Sequence, residues 1–162
     1  DRQLRVLDTT AGFGTDSFIL ASIGASVTLV EQHPMIFALL EDGMKRARQD
    51  STLHSVIERM ELIAQDSREY LVHHAENFDV IYCDPMFPSK KKSALSQKSM
   101  RLLQALLKPQ EEEALTLVKT ALTLATCKKV VVKRPKSAGP LVREPTFSHT
   151  FSSTRFDVYV QR

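Results

Sequence analysis

Leu4-Arg5-Val6-Leu7-Asp8-Thr9-Thr10-Ala11-Gly12-Phe13-Gly14-Thr15-Asp16 is the stretch that decides the fold. A short apolar run ends in Asp8, and a loop containing Gly12 and Gly14 opens a helix. That helix carries the amphipathic run Ser17-Phe18-Ile19-Leu20-Ala21-Ser22-Ile23 and stops at Gly24. Glycines at a strand-to-helix turn permit a tight bend and close approach of a ligand to the backbone. The next apolar run, Ser26-Val27-Thr28-Leu29-Val30, ends in Glu31. An acid placed about twenty residues beyond the Gly loop can accept hydrogen bonds from the ribose hydroxyls of a nucleoside.

The loop is not a dinucleotide fingerprint. That motif needs a third glycine, where Ser17 stands, and a helix N-terminus bare for pyrophosphate. Asp8 and Asp16 would repel a phosphate. They suit a ligand with a cationic end, such as the amino-acid part of S-adenosylmethionine (SAM).

Working outward, strands and helices alternate. Strands are expected at about residues 4–8, 26–31, 60–64, 78–83 and 129–133. Helices are expected at about 15–23, 34–49, 98–107 and 110–125, with Pro34 in a first turn. Asp66-Ser67 forms a good N-cap pair after the third strand. The tail differs: residues 146–151 and 155–160, around Ser152-Ser153-Thr154, read as a terminal hairpin. Alternating βα units imply a parallel sheet with helices on both faces, and the hairpin adds an antiparallel edge. This predicts an α/β protein with the Rossmann-like, mostly parallel sheet of the class I SAM-dependent methyltransferases. Residues 1–162 are expected to form a single domain. The chain opens at Asp1, a few residues before its first strand, so a missing N-terminal segment is also expected.

In such open sheets ligands lie beyond the carboxyl ends of the central strands. Asp8, Glu31, Asp66 and Asp84 all fall there and should rim one pocket. Asp66 and Ser67 are candidates for holding an adenine edge, and equally for capping a helix. The chemistry is expected at Asp84-Pro85-Met86-Phe87, which ends the apolar run Phe78-Asp79-Val80-Ile81-Tyr82-Cys83. An exocyclic or amide nitrogen is a poor nucleophile because its lone pair is delocalised. Acceptors bonding its hydrogens pull it toward tetrahedral geometry. The Asp84 carboxylate can be one acceptor and the Pro85 carbonyl another, since proline keeps its C=O. Phe87 is placed to stack on a flat, unstacked base. An Asp-Pro turn closing a strand is the plainer alternative.

Formal charge is +3, from 22 Lys and Arg against 19 Asp and Glu, which by itself indicates no polyanionic partner. Location matters more. Lys90, Lys91 and Lys92 follow the Asp84 motif directly, in a stretch from Pro88 to Arg101 without an acid. Lys133 and Arg134 end the neighbouring strand on the same rim. Both runs are expected to meet phosphates flanking a target nucleotide. Cys83 and Cys127 sit in apolar segments and read as buried reduced thiols, which fits a cytoplasmic protein. Cys83 as a nucleophile is the less favoured reading of a residue inside a strand. His73-His74 project in different directions from a helix, no Cys/His cluster has zinc spacing, and no metal is expected. No apolar run is long enough to span a membrane.

Together, DTTAGFGTDSFILASIG, the EQHP after strand two, DPMFPSKKKSAL and VVVKRP resemble the ribosomal RNA small-subunit methyltransferase J family. The likeness runs from the first strand to the final hairpin, and DPMFP with its lysine-rich continuation is its most distinctive part. The resemblance implies SAM-dependent N2-methylation of a guanosine in small-subunit ribosomal RNA. It places cofactor contacts at Thr15-Asp16, Glu31-Gln32, Asp66-Ser67 and Asp84. The sequence departs from the family at Thr15, at Gln32-His33 and at Asp66. Three other functions use related parts: methylation of a protein glutamine amide, N6-methylation of adenine in DNA, and a non-enzymatic nucleotide-binding module. The lysine run disfavours the first, the family likeness the second, and the Asp-Pro-x-Phe motif the third.

Overall fold

The computed structural model describes residues 2–85, 111–124 and 129–161. Seven strands and five helices follow one another along them. In order they are β1 (Arg5–Asp8), α1 (Thr15–Ser22), β2 (Ser26–Val30), α2 (Pro34–Arg48), α3 (His54–Ile57), β3 (Met60–Ile63) and α4 (Ser67–His74). A 3₁₀ turn (Ala75–Asn77) leads into β4 (Val80–Cys83), then come α5 (Glu111–Leu124), β5 (Lys129–Pro135), β6 (Phe147–Thr150) and β7 (Thr154–Val160). The expected helix at 98–107 lies outside the described residues, as does Cys127.

One sheet carries all seven strands in the order β3-β2-β1-β4-β5-β7-β6. The first five are parallel, with Val6 opposite both Val27 and Val80. β7 inserts antiparallel between β5 and β6. Chain order reverses between β1 and β4, the position where an open sheet leaves a crevice at the strands' carboxyl ends. This is the Rossmann-like, mostly parallel architecture the sequence predicts.

Period-two alternation explains the two cores. Val6, Leu29 and Tyr82 face one side of the sheet with Ala21 of α1, Leu40 and Met44 of α2, and Ile57 of α3. Leu7, Val30, Ile81 and Cys83 face the other, with Leu71 of α4 and Val118 and Ala121 of α5. Strands buried on both faces read as continuous apolar runs, as these do. Cys83 is a buried thiol in this core, as expected. His73 is exposed, while His74 packs its ring 4.3 Å from that of Tyr70.

Two elements differ from expectation. β5 continues to Pro135 because β7 keeps pairing with it, Arg134 opposite Arg155 and Pro135 opposite Thr154. α3 is a single turn, too short to announce itself by periodicity. Among the described residues no helix is long and apolar enough to cross a membrane.

Candidate active site

Gly12 (φ 52°) and Gly14 (φ 72°) take left-handed backbone conformations that turn the chain from β1 into α1. Gly14 is also packed tightly: a Cβ there would lie 2.8 Å from Cδ1 of Leu40. The turn is laced to its surroundings by polar groups. Asp8 is buried, and its carboxylate accepts from Ser17 Oγ at 2.5 Å and from the Thr10 amide at 2.9 Å. Ser17, standing where a dinucleotide site has glycine, is therefore the donor that holds Asp8. Burial pushes the Asp8 carboxyl up to about 6, against the lowering effect of those hydrogen bonds.

Glu31 follows β2 and is only 7% exposed. Its Oε2 accepts from the Gly12 amide at 3.1 Å and its Oε1 from the His33 amide at 2.8 Å. One carboxylate thus pins the Gly loop to the start of α2. Burial raises its pKa, and the two amides oppose that rise. A carboxylate has about four lone-pair sites, so two such bonds leave capacity for a ligand diol.

Ser67 Oγ donates to the Thr9 carbonyl at 2.6 Å, tying the start of α4 to the loop after β1. The Asp66 carboxylate caps α4 through the Arg68 amide and pairs with the Arg68 guanidinium. Those Arg68 hydrogen bonds hold its pKa below the usual carboxylate range. Gln32 and Thr15 are exposed beside these groups.

Asp84 and the buried Pro85 leave β4 at the same edge. Thr10 Oγ1 accepts from the Asp84 amide at 2.7 Å, so the first and fourth strand ends are joined directly. Thr9 Oγ1 adds a bond to the Tyr82 carbonyl at 2.9 Å. Asp16, in the first turn of α1, accepts from the Tyr82 hydroxyl and from Lys133 Nζ, each at 2.7 Å. The Lys133 ammonium also lies 3.0 Å from Asp84 Oδ2. Burial works against the charge on Asp16, but the bonds from Lys133 and Tyr82 outweigh it and lower its pKa. Burial raises the Tyr82 hydroxyl, which stays a neutral donor.

The structure therefore brings Asp8, Gly12, Gly14, Asp16, Glu31, Ser67, Asp84 and Pro85 together. It corrects the expectation for the second basic run. Lys133 and Arg134 are consecutive strand residues and must point to opposite faces. Lys133 turns into the acid cluster instead of outward to phosphate. Arg134 is buried and donates to the Gly139 carbonyl at 2.9 Å. Phe87, Lys90, Lys91 and Lys92 lie outside the described residues. Thr10 and Tyr82 escaped the sequence reading. Tyr82 sat inside an apolar run, and only its hydroxyl distinguished it from a core aromatic.

The acids set the ligand's charge. Among the described residues Lys133 pairs with Asp16 and Asp84, while Asp8 and Glu31 accept only from uncharged hydroxyl and amide donors. Such a cluster of acids disfavours pyrophosphate and suits a ligand carrying cationic groups, such as the sulfonium and ammonium of SAM.

The fold is that of the SAM-dependent methyltransferases, and the chain belongs to that family: residues 1–161 match the family model described as "Putative SAM-dependent methyltransferase". Its curated relatives include the ribosomal RNA small subunit methyltransferase J of Desulfotalea psychrophila, 45% identical over 157 residues (96% of this chain, 59% of the relative). The protein of the same name from Aeromonas salmonicida is 48% identical over 157 residues (96% and 62%). These are members of the family whose motifs the sequence resembles. The crystal structure of a SAM-dependent methyltransferase from Neisseria gonorrhoeae superposes with a TM-score of 0.77 at 35% identity, over 96% of this chain and 61% of that one. The chain spans about three fifths of the length of these relatives.

Proposed function

We propose that this protein methylates the exocyclic N2 of a guanosine in small-subunit ribosomal RNA, using SAM, in the cytoplasm. The observation that carries the proposal is the junction of Asp84-Pro85 with the Gly loop. The Asp84 amide bonds Thr10 Oγ1 at 2.7 Å, which holds an amino-nitrogen acceptor beside a pocket of acids. The name of the relatives at 45–48% identity supports the choice of substrate.

SAM supplies an electrophilic methyl group on its sulfonium. The residues assigned to hold it are Glu31 for the ribose hydroxyls, Asp8 and Asp16 with Gly12 and Gly14 for the amino-acid end, and Ser67 with Asp66 for the adenine edge. Thr15, Gln32 and Asp84 complete the contacts the family likeness assigns. Asp84 and the Pro85 carbonyl accept from the guanine 2-amino group, and Phe87 stacks on the ring. Holding the amino nitrogen in line in a water-poor site is the main catalytic contribution, and no metal or covalent enzyme intermediate is needed. The proton released from nitrogen passes to Asp84 or to water. Lys90, Lys91 and Lys92 bind phosphates beside the target nucleotide.

Methyl transfer from labelled SAM to isolated small ribosomal subunits tests the assignment. Asp84→Ala is expected to abolish transfer while the domain stays folded, and Asp84→Asn to keep partial activity through its amide oxygen. Transfer by Asp84→Ala at the wild-type rate would overturn the amino-acceptor role.

A further inference from the structure

Lys133 is misplaced for binding phosphate and well placed for another task. Its side chain is 26% exposed, and its ammonium lies 2.7 Å from Asp16 Oδ2 and 3.0 Å from Asp84 Oδ2. An ammonium has three donors, and two here are directed at carboxylates on separate elements, α1 and the end of β4. β5 brings it there by register, since Cys83, one residue before Asp84, pairs with Val132, one residue before Lys133.

We propose that Lys133 is a positioning residue for methyl transfer: bridging Asp16 and Asp84, it favours the charged form of the Asp84 carboxylate, the form that accepts from the substrate amino group. This rests on the role given to Asp84 under Proposed function.

The need for a counter-charge follows from the groups around Asp84. Asp8 at the end of β1 and Asp16 on α1 are like charges, and each favours a proton on its neighbour. The Tyr82 hydroxyl of β4 spends its hydrogen bond on Asp16. Lys133 of β5 is the cation that touches Asp84 among the described residues. Burial raises the Asp84 pKa, Lys133 opposes the rise, and Asp16 adds to it. A protonated Asp84 would present a hydroxyl donor to an amino group that is itself a donor, so acceptance would be weakened where the reaction needs it. Desolvation also disfavours the Lys133 charge, but Asp84 and Asp16 outweigh it and keep the ammonium protonated.

The test is a ¹³C-carboxyl NMR titration of Asp84, assigned with Asp84→Asn, in wild type, Lys133→Met and Lys133→Arg. The midpoint is expected to rise in Lys133→Met and to stay near wild type in Lys133→Arg, which keeps the charge. The acid limb of kcat/KM for methyl transfer should rise with it. A limb displaced by one pH unit makes the Lys133→Met defect about tenfold larger at acidic than at alkaline pH. If Lys133→Met fails to fold, Lys133→Gln, which keeps a donor without charge, is expected to show the same shift. An unmoved Asp84 midpoint in a folded, uncharged variant overturns the inference. The titration needs no RNA. A wild-type enzyme that fails to methylate small-subunit RNA would therefore refute the proposed function separately.

Discussion

Glu31→Gln preserves shape while removing one charge and one acceptor, at the residue that joins the Gly loop to α2. The carboxylate serves two backbone donors, Gly12 N–H at 3.1 Å and His33 N–H at 2.8 Å. An amide has a single acceptor oxygen, so one of those N–H groups must face an NH₂. A buried donor left unsatisfied costs about 1–3 kcal/mol. For a domain of this size each kcal/mol lowers Tm by about 2–4 °C, so the variant should melt roughly 2–12 °C below wild type. Burial raises the Glu31 pKa, and removing that buried charge offsets part of the loss, which favours the smaller end of the range. Binding suffers as well. Loss of one hydrogen bond from the ribose to a charged group, about 1.5–3 kcal/mol, weakens SAM affinity by roughly 10- to 150-fold. Differential scanning calorimetry and titration calorimetry on the same preparation read both effects. A wild-type Tm together with wild-type SAM affinity would refute the dual role of this carboxylate.

Asp8 should leave a signature in the pH dependence of stability. Its folded pKa of about 6 exceeds the ordinary 3.8, so the folded state binds the proton more tightly and stability falls as pH rises from about 4 to 6. About two units correspond to about 3 kcal/mol; Asp8→Asn lacks this slope, and parallel urea-denaturation profiles for the two proteins would contradict it. Gly14→Ala should be destabilised by about 1–2 kcal/mol of left-handed backbone strain, with more from the 2.8 Å approach to Leu40, and should lose SAM affinity as the loop shifts. An unchanged melt and unchanged titration would remove that constraint. Replacing Lys90, Lys91 and Lys92 together by Ala should weaken RNA binding and flatten its salt dependence by about 0.7 per lost phosphate contact on single strands. SAM affinity should stay near wild type, and an unaltered RNA affinity and salt slope would make the lysines a solvated segment.

The sheet was legible because its cause is local. Apolar runs ending in Asp8, Glu31 and Asp84, with Gly12 and Gly14 between strand and helix, leave few alternatives to a parallel sheet with acids at its carboxyl edge. Asp66 as an N-cap was legible for the same reason, since its partner is the Arg68 amide two residues on. The role of Lys133 was not, because its partner Asp16 lies 117 residues away and charge alone cannot separate a counter-ion from a phosphate contact. The opposite orientation of Arg134 could have been inferred from the two-residue period of a strand, had β5 been extended to Pro135. That extension depended on pairing with β7, a contact between segments without a shared sequence signal. The Thr10 bond to the Asp84 amide is likewise non-local, and it is the link that joins the Gly loop to the end of β4.

The central claim is that the Asp84-Pro85 end of β4 directs a methyl group onto the 2-amino nitrogen of guanine in small-subunit ribosomal RNA. Isolated small subunits lacking the modification, incubated with labelled SAM and the enzyme and then digested to nucleosides, test it most directly. The account predicts label in N2-methylguanosine from the small-subunit RNA, lost with Asp84→Ala. Label in N6-methyladenosine, or in a methylated glutamine of a ribosomal protein, would contradict it.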